Sequence, residues 1–286
     1  MTLNDLLNSD RPLIMGVLNV TPDSFFDGGK YNLLDNALNH SQEMVAQGAD
    51  IIDIGGESTR PGAEAVDENE EIKRIVPVIE RIAKQFKDTI ISVDTYKSSV
   101  ANAAIDSGAA VVNDISGLTF SAGMAKLVSE RNVHVIIMHI KGTPKNMQLN
   151  PAYTNVSREI NDFFHKRIDY AATAGIKKEK ILIDPGIGFG KTTQHNLEIM
   201  SNLKNFNTTG CPLVLGTSRK SFIGKILVSE DSPLPASERL YGSLAACAWA
   251  FTSSVKVLRV HDVKETKQFL KVLETITKTK NERVLA

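Results

Sequence analysis

The chain has 286 residues, 42% of them hydrophobic, and its 33 basic and 33 acidic side chains cancel to a formal net charge of zero. That length suits one large parallel α/β unit, and that hydrophobic share supports a sizeable core, which excludes global disorder. Neutrality argues against nucleic-acid or membrane-surface partners, which favour a basic excess, so a charged ligand must be met by a local cluster.

The segment Met1–Met15 carries Asp5, Asp10 and Arg11 and has no apolar leader-like stretch. No run approaches the roughly 18 apolar residues of a membrane span. Cys211 and Cys247 form neither a C-x-x-C pair nor a zinc-like spacing with histidine, as expected of two buried thiols in a reduced protein. These features predict a soluble, cytoplasmic chain.

Short apolar runs then alternate with amphipathic stretches. Leu13–Val17 predicts a first strand, followed by a helix over Leu33–Ala46. Ile51–Ile54 and Glu70–Phe86 repeat the pair, as do Ile90–Val93 and Ser98–Ser107. Ala110–Val112 and Val133–Met138 predict the next two strands, with a helix over Val156–Ala174; Ile181–Ile183, Leu213–Leu215 and Val255–Val260 complete the series. The runs lack polar–apolar alternation, as strands of a parallel sheet do when both faces are covered. Eight such units without a compositional break predict a single (β/α)8 barrel domain over residues 1–286, with its active site at the C-terminal ends of the strands. Gly48, Gly108 and Gly175 each close a helix before the next strand.

A polar group follows every strand. Asn19 comes first, then Glu57-Ser58-Thr59-Arg60, Asp94, Asn113-Asp114, His139, Asp184, Ser218-Arg219-Lys220, and Arg259 with His261. One such residue alone reads as a helix cap, but eight ends on one barrel face point to a site. Asp184 can accept two parallel hydrogen bonds from an amidine-like edge, such as that of a guanine or pterin, or can form a structural ion pair. Asp94 and Asn113 allow the same two readings. Gly186–Thr192 ends like a phosphate-binding G-K-T loop, but Pro185 stands where the first glycine is needed and Lys191 replaces the last glycine of a dinucleotide fingerprint. A glycine turn approaching a flat ligand accounts for it better.

Ser218-Arg219-Lys220-Ser221 places two cations where a helix dipole is already positive, a conflict that an anion would resolve. Arg60, Arg259 and His261 add positive charge, suggesting a phosphate or pyrophosphate. The long loops Thr21–Gly29 and Ser58–Ala63 read either as lids, the first carrying Phe25 and Phe26, or as ordinary connections. No His/Cys/Asp cluster suggests a structural or redox metal, whereas Mg2+ held by a few oxygens and a phosphate fits the pattern.

Taken together, Gly16–Phe25, Asp53–Gly62, Ser92–Thr95, Asn113–Gly117, Met138-His139, Asp184–Gly186, Ser218–Ser221 and Arg259–Asp262 resemble, in order, the motifs of the dihydropteroate synthase family. The resemblance implies condensation of 6-hydroxymethyl-7,8-dihydropterin diphosphate with 4-aminobenzoate, releasing pyrophosphate. It implies that Asp94, Asn113, Asp184 and Lys220 hold the pterin edge, with Met138 and Phe189 lining its pocket. Asn19, through Mg2+, would act with Thr59, Arg60, Arg259 and His261 on the diphosphate. Phe25, Pro61, Ser218, Lys220 and Ser221 would meet the aminobenzoate, and Asp94, Lys220 and Arg259 would carry the chemistry. Alternatives are a corrinoid-linked methyltransferase, which needs no diphosphate site, a silent pterin-binding barrel, and an aldolase using Lys220. The resemblance also implies a homodimer, for which Leu240–Phe251 with Trp249 offers a contact surface, although a core helix reads equally well.

Overall fold

A computed structural model describes residues 2–21 and 30–284. Eight parallel strands alternate with helices: β1 (Leu13–Asn19), β2 (Ile51–Gly55), β3 (Ile90–Asp94), β4 (Val111–Asp114), β5 (His134–Met138), β6 (Ile181–Asp184), β7 (Val214–Leu215) and β8 (Val257–Val260). Around them lie α1 (Leu3–Leu7), α2 (Lys30–Ala46), α3 (Glu68–Gln85), α4 (Ser98–Asp106), α5 (Met124–Arg131), α6 (Val156–Thr173), α7 (Thr193–Ser201), α8 (Ser221–Leu227), α9 (Leu240–Thr252) and α10 (Val263–Val284). The sheet runs β6-β5-β4-β3-β2-β1-β8-β7, and an isolated parallel bridge between Ile183 and Leu213 joins its two ends into a barrel.

The expected elements are all present, with shifted bounds. Most strands extend one or two residues further than the apolar runs, taking in Asn19, Gly55, Asp94, Asn113-Asp114 and Asp184. Those polar residues are therefore the last rungs of the strands rather than residues that follow them. The reason is that backbone pairing continues where side-chain hydrophobicity stops: Asn19 pairs with Gly55, Gly55 with Asp94, and Asp94 with Asn113. Gly48, Gly108 and Gly175 adopt φ of +96°, +120° and +93°, closing α2, α4 and α6 with left-handed turns.

Strand residues two apart share a face. The inward set at the N-terminal end is apolar: Leu13, Met15, Ile51, Val111, Ile136, Leu182, Val214 and Val257, with Leu3 and Leu7 of α1 packed beneath as a plug. A threonine-based capping box at Thr2 and Asp5 holds α1 in place. Stepping two residues along the same strands brings Asp53, Ser92, Asn113, Met138, Asp184 and Arg259 onto the inward face. The barrel thus changes from apolar to polar along its axis. The outward set, including Ile14, Ile52, Ile54, Val93, Val112, Val135 and Ile183, packs against the helices in a second, larger core. Cys211 and Cys247 are buried free thiols. Among the described residues no helix is long and apolar enough to cross a membrane.

Candidate active site

The centre of the barrel mouth is an ion cluster built on three strands. Arg259 of β8 donates from Nε to Asp53 Oδ2 at 2.7 Å and from Nη2 to Asp94 Oδ2 at 2.7 Å. Asn113 of β4 donates its amide to the same Asp53 oxygen at 3.0 Å. Two buried carboxylates share one guanidinium, and Oδ1 of each, with Ser92 Oγ beside them, has no hydrogen-bond partner among the described residues. Burial pushes the Asp94 carboxyl up to about 7, Arg259 opposing this and Asp53 adding to it. Burial works against the charge of Arg259, but Asp53 and Asp94 more than offset it, so the side chain remains a cation. Unpaired buried oxygens are costly, and a ligand's N–H groups could satisfy them.

Beside this cluster, Asp184 and Lys220 flank a glycine turn. Asp184 Oδ1 accepts from Gly186 N at 2.7 Å. Burial raises its pKa, with Lys220 opposing. Lys220 donates to the carbonyl of Ile187, and its Nζ lies 4.7 Å from the centre of the Phe189 ring. Burial draws the lysine down to about 8, Asp184 opposing. Met138 at the end of β5 is buried. Gly186 has φ +67°, and a Cβ there would stand 2.0 Å from the carbonyl oxygen of His139. The turn is pinned from below by Lys191, whose Nζ reaches His139 Nδ1 at 3.0 Å, His139 O at 3.3 Å and Phe189 O at 2.9 Å. Burial, then the neighbouring lysine, drives His139 down to about 2, so it is neutral and its Nδ1 can accept from Lys191.

The β7–α8 connection departs from expectation. Arg219 adopts a left-handed backbone, φ +58°, held by its N–H on Ser243 Oγ at 2.9 Å and by Arg239 Nη1 on its carbonyl at 2.8 Å. Its guanidinium pairs with Asp262, Nε to Oδ2 being 3.0 Å. The sequence reading of two cations awaiting an anion is therefore corrected. A carboxylate distant in sequence already neutralises Arg219, which leaves Lys220 as the cation directed at the mouth. A non-glycine residue in this region costs about 1–2 kcal/mol, and it persists because contacts from α9 and the start of α10 fix it. Ser218 Oγ accepts from His261 N at 3.1 Å and lies 3.1 Å from its Nδ1, joining β7 to β8 at the rim. Lys220 precedes α8 and supplies no side-chain cap, and Ser221 opens the helix exposed to solvent.

Asn19 ends β1 half-buried, its side-chain oxygen over Gly55 and near Asp94. Thr59 is half-buried, and Arg60 and Pro61 are exposed, on the loop between β2 and α3. Phe25 lies outside the described residues. The mouth therefore brings together Asn19, Asp94, Asn113, Met138, Asp184, Phe189, Lys220 and Arg259, with Ser218 and His261 on the rim and Thr59–Pro61 on a neighbouring loop. Sequence reasoning missed Asp53, which is fully buried and bonds both Arg259 and Asn113. Its signal was a lone carboxylate inside the apolar run Ile51–Ile54. It also missed a buried cluster of Glu57, Glu71 and Lys97 under the β2–α3 loop.

Comparison with known proteins places this site in a family. A family model described as pterin binding enzyme matches residues 15–261. The dihydropteroate synthase of Escherichia coli (strain K12) is 45% identical over 278 residues, covering 97% of this chain and 96% of that protein. A crystal structure of the Yersinia pestis dihydropteroate synthase with a sulfonamide drug complex superposes with a TM-score of 0.87 at 44% identity, covering 94% of this chain and 95% of that one. The Xanthomonas albilineans dihydropteroate synthase in complex with 7,8-dihydropteroate gives a TM-score of 0.84 at 38% identity, with 94% of each chain covered. The chain belongs to the dihydropteroate synthase family of pterin-binding enzymes.

Proposed function

We propose that the barrel mouth joins 6-hydroxymethyl-7,8-dihydropterin diphosphate to 4-aminobenzoate by letting the C–O bond break ahead of attack. The reaction gives 7,8-dihydropteroate and pyrophosphate, the condensation of this family in folate synthesis. The observation that carries the assignment is the set of unsatisfied buried oxygens on Asp53 and Asp94 beside Asp184 and Lys220. A pterin presents ring N–H and exocyclic NH2 donors along one edge and acceptors along the other. Asp184 and Asn113 suit the first edge and Lys220 the second, with Met138 and Phe189 against the ring faces. Asp94, titrating near 7, can hold or release a proton at the ring as charge develops there.

Positive charge spreads from the exocyclic methylene into the electron-rich ring as the bond lengthens, and the negative charge of Asp94 and Asp53 would stabilise it. Arg259, His261, Thr59 and Arg60 bind the departing diphosphate. Asn19 suits Mg2+: it offers one neutral amide oxygen, and a hard divalent ion of this kind takes its remaining oxygens from phosphate and water. When bound, the ion neutralises diphosphate charge. Phe25, Pro61, Ser218, Lys220 and Ser221 surround the aminobenzoate, whose arylamine is a nucleophile without a general base. The chain works in the cytoplasm as a homodimer, paired through the exposed apolar residues Tyr241 and Trp249 of α9 with Ile226 and Leu227 of α8.

The test is product formation from both substrates with Mg2+, comparing wild type with Asp184→Asn and Lys220→Ala. Wild type yields dihydropteroate and pyrophosphate in equal amounts, and each variant loses at least about tenfold in kcat/KM, the loss of one charged hydrogen bond. A wild type that makes no dihydropteroate overturns the function; variants that match wild type overturn the site.

A further inference from the structure

We propose that Lys97 is a positioning residue for the reaction: it staples shut the base of the β2–α3 loop and so sets where Thr59, Arg60 and Pro61 stand. The inference rests on the proposed roles of those three residues. Lys97 precedes α4, outside the mouth, and is 8% exposed. Its Nζ meets Glu57 Oε2 at 2.5 Å, Glu71 Oε2 at 2.6 Å and the carbonyl of Val66 at 2.6 Å. Three ammonium donors thus meet three oxygens, and the group is saturated. Glu57 and Val66 are the two ends of the loop, and they also bond each other, Val66 N to Glu57 Oε2 at 2.8 Å. Tyr96 donates its hydroxyl to the remaining Glu57 oxygen at 2.7 Å.

The lysine therefore closes a loop whose ends are joined and whose tip carries the substrate-facing residues, as in a compact Ω-loop. Elsewhere the loop is held lightly. Gly62 N donates to Pro144 O at 3.0 Å, and Glu64 pairs with Lys145 in solvent, both from the β5–α6 connection. Exposed pairs of that kind contribute little, so the buried base decides the loop's position. Glu71, 1% exposed, comes from α3 and ties the lysine to the barrel's outer layer. Glu71 also adds through space to the raised pKa of Asp94, an effect that removing Arg60 leaves in place, so the double variant isolates the path through the loop.

The experiment compares Lys97→Met, Arg60→Ala, the two together, and Glu71→Gln, a control that keeps both loop ends on Lys97. Amide hydrogen exchange of residues 57–66 in the ligand-free protein is read beside kcat, the KM for each substrate and thermal stability. Lys97→Met should raise exchange of the loop at least tenfold and lower kcat/KM by about 10–100-fold, the scale of a misplacement near 1 Å. Affinity for a pterin that lacks the diphosphate, measured by titration, should stay within twofold. Once Arg60 is absent, Lys97→Met should cost much less, because both substitutions act through the same loop. Glu71→Gln should leave the loop protected and the KM values unchanged. If activity instead falls only in proportion to lost folded protein, with loop exchange and KM unmoved, the proposal is overturned. Additive losses in the double variant overturn it as well. The exchange measurement needs no turnover, so it separates failure of this inference from failure of the assigned reaction.

Discussion

Replacing Arg259 by methionine tests the centre of the site through stability as well as activity. The substitution keeps the apolar stem and removes the one guanidinium shared by Asp53 and Asp94, which are 0% and 9% exposed. Deleting one partner of a buried pair costs about 3–5 kcal/mol, and the amide of Asn113 on Asp53 favours the lower end. Without the cation the Asp94 carboxyl loses the group that opposes its rise above the unfolded value of about 3.9. Asp94 is already raised to about 7 in the intact protein, burial being the main cause. A carboxyl raised in the folded state adds stability below its unfolded pKa and loses it as pH climbs through the folded pKa. The deficit of Arg259→Met is therefore largest near pH 8 and shrinks as pH falls towards 6. It recovers by up to about 1.4 kcal/mol per pH unit for each additional proton the variant binds. Urea unfolding followed through the single tryptophan, Trp249, measures it. Adding Asp94→Asn should restore part of the loss at pH 8. A deficit of equal size at pH 6 and pH 8, unchanged by the second substitution, would refute the shared-cation account.

Three further outcomes are expected. Gly186→Ala places a Cβ 2.0 Å from a backbone oxygen at φ +67°, costing about 1–2 kcal/mol for the left-handed conformation and more for the clash. It should raise the pterin KM at least tenfold, and a variant with wild-type KM and melting temperature would show that the turn is not rigid. Positional exchange of 18O within the dihydropterin diphosphate should proceed without 4-aminobenzoate, and its absence in a closed complex would place attack before bond breaking. Sedimentation should give twice the chain mass, with Tyr241→Glu shifting it towards one; a monomeric wild type at micromolar concentration would dismiss the α9 interface.

Much of the fold could be read from the sequence because it rests on local chemistry. Uninterrupted apolar runs, amphipathic stretches and closing glycines set eight strand–helix units, and such units have few ways to close. The polar residues at the strand ends could be read for the same reason, since parallel strands must present those ends on one face. What the sequence left open was the pairing among them. Asp53 was hidden inside an apolar run until register placed it inward, two residues beyond Ile51 and beside Ser92. Arg219 read as a free cation, and only the approach of Asp262 to the β7–α8 turn neutralised it. Lys97 carried no signal, because Glu57, Val66 and Glu71 meet it across 40, 31 and 26 residues of chain. Residue type and period determined which chemistry this chain could hold and on which barrel face. Which carboxylate meets which cation depends on strand register and loop closure, because an ion pair is fixed by distances of a few ångströms that no local pattern specifies.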